Sequence, residues 1–197
     1  HHYRHYDFLL TLSDEVAHFG LEHHESSDDR GPERMLIDED TLKGWAFLLP
    51  HELVHSWNGK YRRPAGLATA NYQQPMKTEL LWVYEGLTEY LGEVLAARSG
   101  LWNATNFTEF LARDAANLDH ERGRDWRPLV DTTDAADMLY HSRGEGGSWR
   151  RSVDFYPEGS LIWLEADVKI RELTQGKHSL DDFCQRFFGG ENTPPRV

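Results

Sequence analysis

Residues 51–55 read His51-Glu52-Leu53-Val54-His55, the pattern HExxH, inside an apolar stretch that runs from Trp45 to Trp57. On a helix the two histidines stand one turn apart on the same face, so both imidazoles reach a single metal ion. Glu52 is rotated by about 100° from His51 and lies beside the ion, where it can take a proton from water. With eleven histidines in 197 residues, this pattern is expected by chance about 0.05 times, which makes its presence informative. A tetrahedral catalytic zinc also needs a third protein ligand and an open position. A third histidine at 61 with glycine at 58 is excluded, because those positions hold Tyr61 and Asn58. The other source is a carboxylate from the following helix.

That helix is predicted over 79–98. Leu80, Tyr84, Leu87, Leu91, Val94 and Leu95 recur at helical spacing, and Gly100 follows as a stop. It offers Glu79, Glu85, Glu89 and Glu93. Glu85 is the chosen ligand, since Gly86 after it would let this helix approach the HELVH helix closely. Glu89, one turn on, is placed to accept from the far nitrogen of a ligand histidine. Glu79 and Glu93 read as solvated positions.

Working outward, residues 6–12 and 17–23 read as short strands and 25–34 as a polar loop broken by Gly31 and Pro32. A helical pattern covers 41–57, with Thr41 as its N-cap, and Pro50 either kinks it or starts its second half. Residues 60–77 form a loop whose Lys60, Arg62 and Arg63 read as solvated. A helix follows over 106–118, then a long polar segment over 119–153 of the kind that is often functional. Another helix spans 156–174, and Ser179 with Asp182 forms a capping box for a last one. Gly189-Gly190 and Pro194-Pro195 read as a linker. The expected fold class is α+β and predominantly α-helical, with a small N-terminal sheet, in one domain over 1–197.

Composition narrows the function. Apolar residues make up 39% and aromatic residues 12%, enough for a core. The net charge of −12 argues against a nucleic-acid surface. No apolar run approaches the roughly 20 residues of a membrane span. Cys184 is the single cysteine, so neither an internal disulfide nor a four-cysteine metal site is available. His1 and His2 read as tag remnants and His5, His120 and His178 as surface positions, while His23, His24 and His141 receive no role. The chain opens at His1 without methionine, and we read it as part of something longer. Its compartment is left open, with periplasm or exterior favoured over cytoplasm.

HELVHSWNGKYRRP (51–64), LWVYEGLTEYLGEVLAARSG (81–100) and VDFYPEGSLIWLEADVKIRELTQGKHSLDD (153–182) carry a resemblance. Over about 6–182 the chain resembles the glycyl aminopeptidase family of gluzincin metallopeptidases. It is more distantly similar to large aminopeptidases with HExxH, an N-E-G-F-A glutamate and a G-x-M-E-N motif. The resemblance implies a thermolysin-like zincin catalytic domain with one Zn²⁺ held by His51, His55 and Glu85, and Glu52 as general base. Gly20-Leu21-Glu22-His23 aligns with the exopeptidase motif, which implies Gly20 and Glu22 at the substrate, Glu22 binding its free α-amino group. Leu21 and His23 depart from the Met and Asn of that motif. Tyr156, in YPEG, aligns with the tyrosine that stabilises the oxyanion, with Pro157 as a departure. The resemblance further implies a β-rich region before this segment and a PDZ-like domain after it.

The function expected from this reading is zinc-dependent removal of N-terminal residues, small ones such as glycine and alanine favoured, from peptides with a free N-terminus. The alternatives are a zinc endopeptidase, in which Glu22 reads no amine, and a non-catalytic peptide-binding module of the same fold. The intact Glu52 speaks against the second.

Overall fold

The computed structural model describes residues 3–140 and 146–191. His1, His2, His141 and Pro194-Pro195, which carried readings above, lie outside the described residues. The chain opens with three strands, β1 (Asp7–Leu12), β2 (Phe19–Glu22) and β3 (Ser26–Gly31). They form one sheet in the order β1-β3-β2, with β3 parallel to β1 and antiparallel to β2. The polar segment expected as a loop over 25–34 is therefore largely the central strand. Its inward residues are Ser27, Asp29 and Gly31, all buried. Small and polar groups on the inner face erase the alternation of apolar residues by which a strand is recognised.

The helical stretch divides into α1 (Glu39–Trp45) and α2 (Leu48–His55). Asp38, not Thr41, caps the first: its carboxylate accepts from the Thr41 backbone amide at 2.8 Å. Pro50 sits in the first turn of α2, where a missing N–H costs little. Beyond a loop come α3 (Leu81–Arg98) and α4 (Ala104–Asp119), the latter opened by a capping box between Asn103 and Asn106. The segment expected as a loop over 119–153 contains, among its described residues, a 3-10 turn (Arg122–Asp125) and the short α-helices α5 (Leu129–Asp134), α6 (Ala136–Tyr140) and α7 (Gly147–Arg150). Then follow α8 (Pro157–Leu173) and α9 (Leu180–Phe187), with Ser179 and Asp182 forming the expected capping box.

Helix α3 is the hub, packed against α2 on one side and α8 on the other. Val54 of α2, Leu87, Tyr90 and Leu91 of α3, Leu180 of α9 and Phe188 share one buried cluster. A second joins Ala46, Ala96, Trp102 and Phe110. Burial of each large apolar side chain contributes roughly 1.5–3 kcal/mol. Gly86 does not serve the contact with α2 as expected. A Cβ there would lie 2.7 Å from the Cα of Gly159, so it closes the crossing with α8. The glycine that meets α2 is Gly92, whose Cβ would stand 3.0 Å from the His51 Cα. Among the described residues, no helix is long and apolar enough to cross a membrane.

Candidate metal centre and peptide site

The α2–α3 crossing brings three side chains to one point. His51 and His55 are buried on α2, their ring centroids 4.9 Å apart. Glu85, on α3, presents Oε2 at 3.5 Å from His51 Nε2 and 3.3 Å from His55 Nε2. Their candidate donor atoms all lie within 4.8 Å of one another. Four ligands around zinc at about 2.0–2.1 Å would stand roughly 3.3 Å apart, so the spacing fits. Glu85 Oε2 is buried, with the two imidazole nitrogens as its near polar neighbours among the described residues, and a cation between them would satisfy all three. The donor set, two imidazoles and a carboxylate, suits zinc.

The ring nitrogens that face away from Glu85 are also engaged. His51 Nδ1 lies 2.8 Å from Glu89 Oε2. His55 Nδ1 lies 3.0 Å from the Asn58 carbonyl oxygen, so the backbone just past α2 orients this ring. Asn58 in turn donates through Nδ2 to the Tyr84 carbonyl at 2.8 Å and to Thr88 Oγ1 at 3.1 Å, fastening the loop to α3. Thus the two histidines have different supports, one a carboxylate and the other a carbonyl.

Electrostatics follow from burial and charge together. Burial alone would push the Glu85 carboxyl up, but His55 and His51 overcome it and hold it at about 2. Burial likewise opposes charging His51 and His55, yet Glu85, joined at His51 by Glu89, raises both above the usual imidazole range. Protons and a metal cation compete for these nitrogens, so metal affinity falls as pH falls. Glu52 is buried, and desolvation lifts its carboxyl to about 7 against the pull of His51 and His55.

The sheet supplies the opposite wall. Tyr6, just before β1, donates to the Glu52 carbonyl at 3.0 Å. Gly20 lies on edge strand β2, where a Cβ would collide with the Glu52 carboxylate, so the absence of a side chain leaves room for that carboxylate. At the end of β2, Glu22 accepts from the Tyr84 hydroxyl at 2.7 Å and from Lys60 Nζ at 3.4 Å, both at Oε1. Burial raises its carboxyl, but His55, Lys60 and the Tyr84 bond outweigh that and lower it. Tyr156, at the N-cap of α8, lies with its ring centroid 6.0 Å from that of His51, and its hydroxyl is hydrogen-bonded to the Tyr140 side chain. A cleft of about 460 Å³ runs past His51, Glu52 and Tyr156, walled by Phe19, Gly20, Phe47 and Leu48.

Several expectations change here. Glu93 is not solvated; it is fully buried, and Ser160 donates to its Oε2 at 2.9 Å. Burial, with Glu89 nearby, pushes its carboxyl well up. Helix α8 covers the side of α3 that a lone sequence leaves open. The basic loop is engaged too: Lys60 reaches Glu22, Arg62 donates to the Phe187 carbonyl, and Arg63 to the Gly59 carbonyl. Tyr84, Asn58, Thr88 and Tyr140 were not singled out from the sequence. Tyr84 fits the apolar stripe of α3 and reads there as packing. Thr88, polar on that apolar helix, was the one signal available.

A buried pair of histidines thus faces a glutamate on the next helix, beneath the edge of a small sheet, in a domain built mainly of helices. Residues 45–162, more than half of the chain, match the family model of the M61 glycyl aminopeptidases, and the chain belongs to that family. It is similar to the crystal structure of an aminopeptidase N family protein from Idiomarina loihiensis, with a TM-score of 0.85 and 24% identity. That match covers 95% of this chain and 32% of the other, so the chain spans about a third of the length of that protein. No curated protein matches the chain.

Proposed function

We propose that this chain is the catalytic domain of a zinc-dependent aminopeptidase of gluzincin type, with a thermolysin-like arrangement of its zinc site. The observation that carries the reading is the convergence of His51 Nε2, His55 Nε2 and Glu85 Oε2, with Glu22 on the strand beside them. When bound, zinc would supply Lewis acidity, polarising the scissile carbonyl and lowering the pKa of water. His51, His55 and Glu85 would hold it, with Glu89 and the Asn58 carbonyl beside the histidines. Glu52 takes the proton of the attacking water and later delivers it to the leaving amine. Tyr156 donates its hydroxyl to the developing oxyanion. Glu22 pairs with the substrate ammonium and sets the cut one residue in. Family membership supports a peptide substrate and a preference for small N-terminal residues such as glycine and alanine.

The test is blockade of the amine. A glycyl or alanyl amide with a free amino group is cleaved, while its N-acetylated form is refused, because acetylation removes the ammonium that would pair with the second carboxylate oxygen of Glu22 and adds bulk in its place. Glu22→Ala lowers kcat/KM for the free amine roughly 10- to 150-fold, a loss of about 1.5–3 kcal/mol of transition-state stabilisation, and leaves zinc in place. Efficient cleavage of an internal bond in an N-blocked peptide would replace this reading with that of an endopeptidase.

A further inference from the structure

We propose that Tyr84 is a positioning residue for the amine-reading site. On this assignment its hydroxyl holds Glu22 by Oε1, turns Oε2 toward the substrate ammonium and fixes the distance from that ammonium to the metal centre. The assignment rests on the role of Glu22 proposed above.

Glu22 is the last residue of an edge strand, and a glutamate side chain left to itself samples several rotamers. Within β2 its carboxylate has a bond from its own backbone amide, which leaves the outer end of the side chain to be placed from elsewhere. Tyr84, 62 residues further along the chain, holds it at 2.7 Å, and Lys60 approaches the same oxygen at 3.4 Å. The tyrosine is itself held on two sides. Its ring stacks on His55, centroids 4.6 Å apart and planes 27° from parallel. Its backbone carbonyl accepts from Asn58 Nδ2 and from Thr88 Oγ1, the latter at 2.7 Å. It is also the immediate neighbour of Glu85. One residue therefore touches the ring of one donor, adjoins another donor in sequence, and bonds the carboxylate that reads the amine. An exopeptidase that cuts one residue in must keep the ammonium at a constant distance from the scissile carbonyl, and small misplacements are costly. A rigid phenol is suited to set that distance in a way that a flexible lysine is not.

The test is ligand binding to zinc-loaded protein, read by calorimetry with glycine hydroxamate and its N-acetyl form. The wild type is expected to prefer the free amine. In Tyr84→Phe, which keeps the ring and the stack, that preference falls roughly tenfold, while affinity for the N-acetyl form, zinc stoichiometry and Tm stay unchanged. Glu22→Asp, one methylene too short to reach both Tyr84 and the amine, loses the preference as well. If Glu22→Ala abolishes the preference but Tyr84→Phe retains it, the role given to Tyr84 is wrong and the aminopeptidase reading stands. If the wild type shows no preference and Glu22→Ala changes nothing, both fall together. Loss of zinc from Tyr84→Phe would also overturn the assignment, by making the tyrosine a support of His55 alone.

Discussion

Glu85 Oε2 stands 3.3 Å from His55 Nε2, across the crossing of two helices that meet through the backbone of Gly92. Two like-sized groups of opposite tendency, a carboxylate held at about 2 and an imidazole raised above its usual range, are thereby kept together in a buried place. Burying charge is expensive unless it is paired. The pairing is not a substitute for packing here, since well-packed apolar groups would serve stability as well or better. Its value lies in the donor set that it assembles.

Glu52 is the first group to remove. Glu52→Gln should retain stoichiometric zinc and slow hydrolysis by roughly 10²–10⁴-fold. Gly20→Ala tests the proposed base without altering it, because the new methyl would occupy the place of the Glu52 carboxylate. Zinc content and Tm should hold while kcat falls, on the order of 10²-fold for a displacement of about 1 Å. Metal analysis alongside steady-state kinetics reads both variants, and full activity in Gly20→Ala would refute the placement of the base.

Tyr156→Phe should lower kcat by roughly 10²–10³-fold with little change in substrate affinity. A hydroxyl that acts on the oxyanion matters in the transition state and hardly before it. Steady-state kinetics with an independent binding measurement separates the two, and an unchanged kcat would reduce Tyr156 to a packing residue.

Asp29, paired across the sheet with Gly20, gives a stability test. It is fully buried on β3, accepts from Ser27 Oγ at 2.7 Å, and burial lifts its carboxyl to about 6. The folded state thus binds this proton more tightly than the unfolded chain. The stability linked to it is present at pH 4 and is lost as pH rises through about 6. Asp29→Asn, which can still accept from Ser27, should match the wild type near pH 4. At pH 8 it should exceed the wild type by roughly 2 kcal/mol. Denaturant melts at the two pH values show the difference, and an equal effect at both would exclude the proton as its source.

The residues differ in how far sequence alone revealed them. His51, Glu52 and His55 were legible because one motif on one helix fixes their relative geometry. Glu85 needed a second helix, identified by its apolar stripe and a choice among four glutamates. Glu93 was misread since its burial comes from α8, about 65 residues later in the chain, and helical periodicity cannot say which polar positions a distant helix will cover. Strand β3 was missed because Ser27 and Asp29 occupy inward positions where apolar residues would have announced a strand. Tyr84 was hidden for the opposite reason: an aromatic on an apolar stripe announces packing, and its bond to Glu22 exists only once sheet and helix are assembled.

The most direct measurement is a crystal structure of zinc-loaded protein, with the ion located by its anomalous signal. One zinc should lie between α2 and α3, with His51 Nε2 and His55 Nε2 at about 2.0–2.1 Å and a Glu85 oxygen at about 2.0–2.2 Å. Zinc bound elsewhere, or bound by the two histidines with Glu85 turned away and Glu89 in its place, would contradict the centre described here.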